Sequence, residues 1–140
     1  MTYPTDTDIA YLAGIIDGEG SIVIVNKTAR SHTVRLQVYN CDRRLFDWID
    51  ERFGKGTLTV RRSRIGRVGY IWATQAEKAS RILQASLPYM IIKREQAELA
   101  IEFQSKMISN RGRWYPLTPE ELTWRQEQKQ RLSRLNRPTS

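Results

Sequence analysis

Residues 17–21, Asp-Gly-Glu-Gly-Ser, set two carboxylates two positions apart between glycines. Carboxylates are the hard oxygen ligands that Mg2+ selects, and a neighbouring backbone carbonyl adds a second oxygen. Glu19 with the carbonyl of Gly18 is therefore a candidate metal site. A cation held there suits phosphodiester hydrolysis, because it lowers the pKa of a bound water and stabilises the leaving oxygen. One carboxylate per chain makes a poor site; two copies joined across a two-fold axis make a better one. Other chemistries fail on spacing or on material. An EF-hand loop beginning at Asp17 needs glycine at its sixth position and glutamate at its twelfth, where this chain has Ile22 and Thr28. Gly18-x-Gly20 follows a helix, not a strand, so it is no dinucleotide fingerprint. His32 is the single histidine and Cys41 the single cysteine. That leaves little for a Ser-His-Asp or Cys-His mechanism, and excludes an internal disulfide or a Cys-based zinc site.

The acidic turn needs a helix before it and strands after it. Thr5, Asp6 and Thr7 are candidate N-caps, Asp8 suits a first turn, and the spacing predicts a helix over Thr7–Ile16. Ile9, Leu12 and Ile16 form its apolar stripe; Ala10, Ala13, Gly14 and Asp17 form a second stripe of small or short residues. Gly18 and Gly20 are expected to stop the helix. The small stripe would let two copies approach backbone to backbone and bring their Glu19 carboxylates together. Plain core packing and a polar helix cap are the simpler alternatives.

Strands are expected at Ser21–Lys27 and Thr33–Tyr39, with Thr28–Ser31 as their hairpin loop. A helix over Asp42–Phe53 turns Leu45, Phe46, Ile49 and Phe53 inward. A second hairpin joins Thr57–Ser63 to Val68–Thr74 through a basic tip, and a helix over Ala76–Leu87 stops at Pro88. The next helix, Ile92–Ile108, aligns Ile92, Leu99, Phe103 and Met107 and ends at Asn110 and Gly112. A last helix starts at Thr118 with Pro119 at its first position and Glu121 in a capping box. It reaches Leu135 with Arg131, Arg134 and Arg137 at its end. The tryptophans at 48, 72, 114 and 124 read as core or interface anchors. The order αββαββα predicts an α+β fold: a four-stranded antiparallel, saddle-like sheet with helices on one face, plus C-terminal helices. Residues 1–110 would form the core domain and 111–140 a basic helical extension.

Lys and Arg total 23 against 15 Asp and Glu, a formal net charge of +8, which favours a polyanionic partner. The uncovered sheet face carries that charge. Strand alternation turns Ser21, Val23, Val25 and Lys27 outward, with Thr33, Arg35 and Gln37 on the second strand and Thr59 and Arg61 on the third. The hairpin tip adds Arg62, Arg64 and Arg67. These groups can bond base edges and phosphates, and the valines suit thymine methyl groups. An ordinary solvated sheet face is the alternative.

Leu12–Gly20, LAGIIDGEG, resembles the motif of the LAGLIDADG homing endonucleases, and the resemblance extends over roughly residues 8 to 105. It implies a sequence-specific double-strand DNA endonuclease. With a single motif it implies a homodimer acting on a near-palindromic site. Mg2+ is the implied cofactor, with Mn2+ or Ca2+ able to substitute for binding; no small-molecule cofactor, no membrane, and a reducing intracellular compartment are expected. Glu19 would match the motif's essential metal ligand, with the Gly18 carbonyl beside it. Asn40 would match a polar residue, often Gln in relatives, that positions the water network. Arg44 would match a basic residue near the scissile phosphate, and Lys93 a lysine suited to stabilising the pentacovalent phosphate. Asp17 would fix the helix end. An intron RNA maturase and a non-catalytic DNA-binding regulator are the rival readings.

Overall fold

A computed structural model describes residues 4–28, 31–109 and 117–137. The elements run α1 (Asp6–Glu19), β1 (Gly20–Thr28), β2 (Ser31–Asn40), α2 (Arg43–Phe53), β3 (Thr57–Arg62), β4 (Val68–Gln75) and α3 (Ala76–Ser86). A short 3₁₀ turn, Leu87–Tyr89, then leads to α4 (Arg94–Ser109) and α5 (Pro119–Leu135). The α+β order and the antiparallel sheet are those the sequence predicts. The strands lie in the order β1-β2-β4-β3, so the two hairpins join through β2 and β4. Among the described residues no helix is long and apolar enough to cross a membrane.

Three boundaries differ from expectation, each for a local reason. Thr5 is the N-cap of α1, in a reciprocal capping box with Asp8. Gly18 does not stop this helix, which continues to Glu19. Glycine permits a stop without forcing one. The stop comes at Gly20, where a Cβ would sit 2.7 Å from the carbonyl oxygen of Ile16. Ile92 is not in α4, nor does it face inward; it is 70% exposed. The N–H groups of residues 91–93 bond Asp17 ahead of the helix, so α4 begins at Arg94. The expected stop at Asn110 and Gly112, Trp114, and residues 29–30 of the expected loop lie outside the described residues, while Thr28 ends β1 and Ser31 begins β2.

One core fills the space between sheet and helices. Ile22, Ile24, Val34, Leu36, Val38 and Trp72 rise from the sheet against Leu12 and Ile16 of α1, Phe46 and Ile49 of α2, Leu83 of α3 and Phe103 of α4. Residues 117–137 join that core: Leu132 is buried in it, Trp124 stacks on Phe103 at 5.3 Å, and Asn136 bonds the Ile22 carbonyl at 2.8 Å.

Asp50 links α2 to the far hairpin. Its Oδ1 accepts from Trp72 Nε1 at 2.7 Å and from the Gly56 N–H at 3.0 Å. The indole lies so close to Gly56 that a Cβ there would meet it at 2.3 Å. Asp50→Ala would strand both donors, and an unmet buried donor costs about 1–3 kcal/mol. Urea unfolding should therefore show a loss of that order, and Asp50→Asn a smaller one, since its carbonyl oxygen still accepts.

Candidate functional site

Glu19 is the last residue of α1, and pairing of Gly20 with Val38 sets it beside the end of β2. There Asn40 Nδ2 donates to Glu19 Oε2 at 2.6 Å, and Asn40 Oδ1 accepts the backbone N–H of Asp42 at 2.8 Å. Both ends of the Asn40 amide are thus used, which fixes its orientation. Glu19 is exposed, and its Oε1 has no partner among the described residues.

Lys93 arrives from the other side. Its Nζ donates to the backbone carbonyl of Asp17 at 2.6 Å, placing an ammonium against the last carbonyls of α1. Asp17 answers with its carboxylate, which accepts the N–H groups of Ile91 (2.7 Å), Ile92 (3.2 Å) and Lys93 (3.0 Å). Burial pushes the Asp17 carboxyl up, but these three N–H bonds and the Lys93 charge outweigh it and hold the group below its usual value. The expectation that Asp17 fixes the helix end describes this tether.

Arg44 touches neither Glu19 nor Lys93 and reaches the cluster only through Asp42. Asp42 grips it at 2.6–3.2 Å, and the guanidinium bonds hold the Asp42 carboxyl down to about 2. Asn40, Asp42 and Arg44 line one end of a groove of about 690 Å³ between α1 and α2. Thr7, Asp8, Tyr11, Ile15, Leu45 and Trp48 line the rest, with Tyr11 edge-on to Trp48 at 5.0 Å. His32 is no part of this site. It lies eight residues along β2 from Asn40, about 26 Å at the usual rise of a strand.

Among the described residues no three His, Cys, Asp or Glu side chains gather. Glu19 therefore offers one free carboxylate oxygen at an exposed helix end, a donor that fits a hard divalent cation whose remaining ligands come from outside the chain. The Gly18 carbonyl is the adjoining backbone oxygen.

The outward face of α1 corrects one expectation. Ala13 is fully buried in the chain's own core with Leu12 and Ile16, so it cannot meet a second copy. Gly14 and Gly18 are exposed and Ala10 is half-buried. A Cβ built on either glycine meets nothing within 4 Å. Asp17, also expected in a contact between copies, spends its carboxylate on residues 91–93. Tyr11, Tyr89, Ile91 and Ile92 remain as large apolar side chains open to solvent, Ile91 at 86%.

Strand register arranges the outward sheet face in rows. Ser21 lies opposite Gln37, Gln37 opposite Ala73, and Ala73 opposite Thr57; Val23, Arg35 and Gln75 form a second row, and Val25 pairs with Thr33. Tyr39, Ile71 and Thr59 form another, and Arg61 faces Gly69. None of these residues is acidic. Thr33 shares the face but is 6% exposed, so it is covered. Arg62 has the parity of Leu58 and Val60 and so leaves the strand on the helix side. Arg64 and Arg67 are exposed at the tip, around a turn with Gly66 at φ +81°. The contribution of β4 (Ile71 and Gln75, with Ala73 on the same face but covered like Thr33) was missed by sequence reasoning, although the same alternation applied to β4 finds it. Tyr39 is packed onto Gly69, where an added Cβ would lie 2.4 Å from its hydroxyl.

Solved structures share this architecture. The homing endonuclease I-CvuI, in complex with the I-CreI target and uncleaved in the presence of Mg, matches with a TM-score of 0.73 at 23% identity, over 96% of this chain and 86% of its own. The archaeal intron-encoded homing endonuclease I-Vdi141I, complexed with DNA, gives 0.77 at 16% identity over 96% and 87%. The LAGLIDADG meganuclease I-AabMI, bound to uncleaved DNA, gives 0.72 at 20% identity, with 94% of this chain covering 46% of that one. At these identities the likeness is one of fold. No protein-family model matches the sequence, and no curated protein matches it.

The Asp17 tether makes stability depend on pH. A carboxyl with a lowered pKa in the fold stabilises it above the unfolded value and loses that contribution as pH falls through the folded one. Thermal melting of Asp17→Asn should therefore lie below wild type at pH 7, and the gap should close as pH falls below about 4.

Proposed function

We propose that this chain, which has the fold of the LAGLIDADG homing endonucleases, is a divalent-cation-dependent endonuclease. Its substrate is double-stranded DNA, and it works as a homodimer on a near-palindromic site. The observation that carries the reading is Glu19: an exposed carboxylate oriented by Asn40, with Lys93 at the same helix end, beside a sheet face whose rows hold no acid. The solved proteins of this fold named above are in complex with DNA, and one was studied with Mg.

Glu19 and the Gly18 carbonyl would hold Mg2+, which when bound supplies an acidified water and charge stabilisation of the leaving oxygen. The other residues act on substrate or position Glu19. Asn40 keeps one oxygen of Glu19 occupied and the other free. Lys93 adds positive charge beside the acid, where a phosphate gaining charge is stabilised. Arg35, Gln37, Gln75, Thr59 and Arg61 read base edges and hold the backbone. The open face of α1, flanked by Tyr11, Ile91 and Ile92, supports contact with a second copy, since exposed apolar side chains grouped in this way mark interfaces. Such contact brings two Glu19 side chains and two sheet faces under one two-fold axis.

Incubating the protein with a randomised, partly palindromic duplex library and Mg2+ should enrich cleaved, symmetric sites. Glu19→Gln should abolish cutting of the selected site while binding, measured in Ca2+, stays within a few-fold of wild type. A mutant that still nicks that site would remove Glu19 from the mechanism. Sedimentation should give two chains per bound duplex.

A further inference from the structure

An unbroken run of hydrogen bonds joins Glu19 to Arg44. Glu19 Oε2 accepts from Asn40 Nδ2 at 2.6 Å, and Asn40 Oδ1 accepts the Asp42 N–H at 2.8 Å. The Asp42 carboxylate then receives Arg44 Nε at Oδ1, 3.0 Å, and Arg44 Nη2 at Oδ2, 2.6 Å. This fork engages one edge of the guanidinium. Of its five N–H donors, Nε and one on Nη2 go to Asp42. Both on Nη1 and the second on Nη2 stay free, and together they form an edge matched to a second bidentate acceptor such as a phosphodiester. The Arg44 side chain is 90% exposed. Without Asp42, no other described residue would hold so exposed and flexible a side chain in one rotamer.

We propose that Asp42 is a positioning residue for DNA cleavage. It holds Arg44 with its free guanidinium edge presented to a phosphate in fixed relation to Glu19, and it acts only through Arg44. This rests on the nuclease reading. Asp42 also has a structural role, because its Oδ1 accepts the Arg44 backbone N–H at 3.0 Å and so caps α2. Serine caps a helix as well as aspartate does but cannot form the fork, so Asp42→Ser separates the two roles.

The test compares wild type, Asp42→Ser, Arg44→Ala and the double variant on the selected duplex. The readouts are single-turnover cleavage in Mg2+, binding in Ca2+, and thermal melting. Asp42→Ser should cleave about 10- to 100-fold more slowly, the scale of a misplaced catalytic group. Its binding and melting should stay near wild type. The double variant should be no slower than Arg44→Ala, because residues acting in one chain are not additive. Wild-type cleavage by Asp42→Ser overturns the proposal. So does a double variant slowed by the product of the two single effects, since Asp42 would then act independently of Arg44. Should serine unfold the protein, Asp42→Asn replaces it, since asparagine caps equally well and lacks the charge that grips Arg44. A wild-type protein that cuts no duplex overturns the nuclease reading, and this inference with it.

Discussion

The candidate site depends on an exchange between two helix ends. The last turn of α1 gives a carbonyl to Lys93, and the residues leading into α4 give three N–H groups to Asp17. Helix termini leave their terminal carbonyls and N–H groups without internal partners, with partial negative charge at the C-terminus and positive charge at the N-terminus. Here each terminus meets the other's opposite charge: an ammonium at the C-terminus of α1, a carboxylate at the N-terminus of α4. The partners lie 74 to 76 residues apart in the chain, so the exchange closes most of the fold on itself.

Glu19 follows from that closure. The helix runs two residues past the tethered Asp17, and at Gly20 the chain turns abruptly into β1 along a path that leaves no room for a Cβ. The register of β1 on β2 then sets Asn40 within reach, and Asn40 in turn is braced by the cap of α2. Three elements thereby bear on one carboxylate: α1 carries it, β2 supplies Asn40, and the N-cap of α2 braces Asn40, while Lys93, just ahead of α4, holds the Asp17 carbonyl two residues back. The same tether pushes Ile91 and Ile92 into solvent at the flank of α1. The apolar rim of the open helix face is thus a by-product of how the helix end is fixed.

Much of this was legible in the sequence, for physical reasons that differ by residue. Strand alternation holds up to the register shift between Asn26 and Thr28, so Ser21, Val23, Arg35 and Gln37 fall on the outward face as expected. Capping chemistry is local, so Thr5, Asp42 and Thr118 could be placed within a residue or so of the helix starts they serve. What depends on distant partners was not legible. Ala13 and Gly14 are adjacent small residues, and nothing in their types tells which points to the core; the packing of Leu12 and Ile16 decides it. Ile92 has the right spacing for α4 but loses it because Asp17 takes the N–H groups there. Arg62 reads as a tip residue, yet pairing with Val68 fixes its parity to the helix side. The grip of Asp42 on Arg44 spans two residues and left no mark in the pattern, because an Asp-x-Arg spacing is common and becomes a fork only at this N-cap geometry.

The last turn of α1 holds two acids and no base, against the preference of a helix C-terminus for positive charge. Asp17 is compensated by its N–H donors and by Lys93. Among the described residues the partner of Glu19 is a neutral amide. Local rules are broken most often where function needs it. A helix C-terminus favours positive charge, so under the nuclease reading proposed above a divalent cation held by Glu19 would complete this helix end. In a chain of net charge +8, an exposed carboxylate at a helix end is the local exception, and on the same reading the cation would sit at that exception while the basic residues face the DNA.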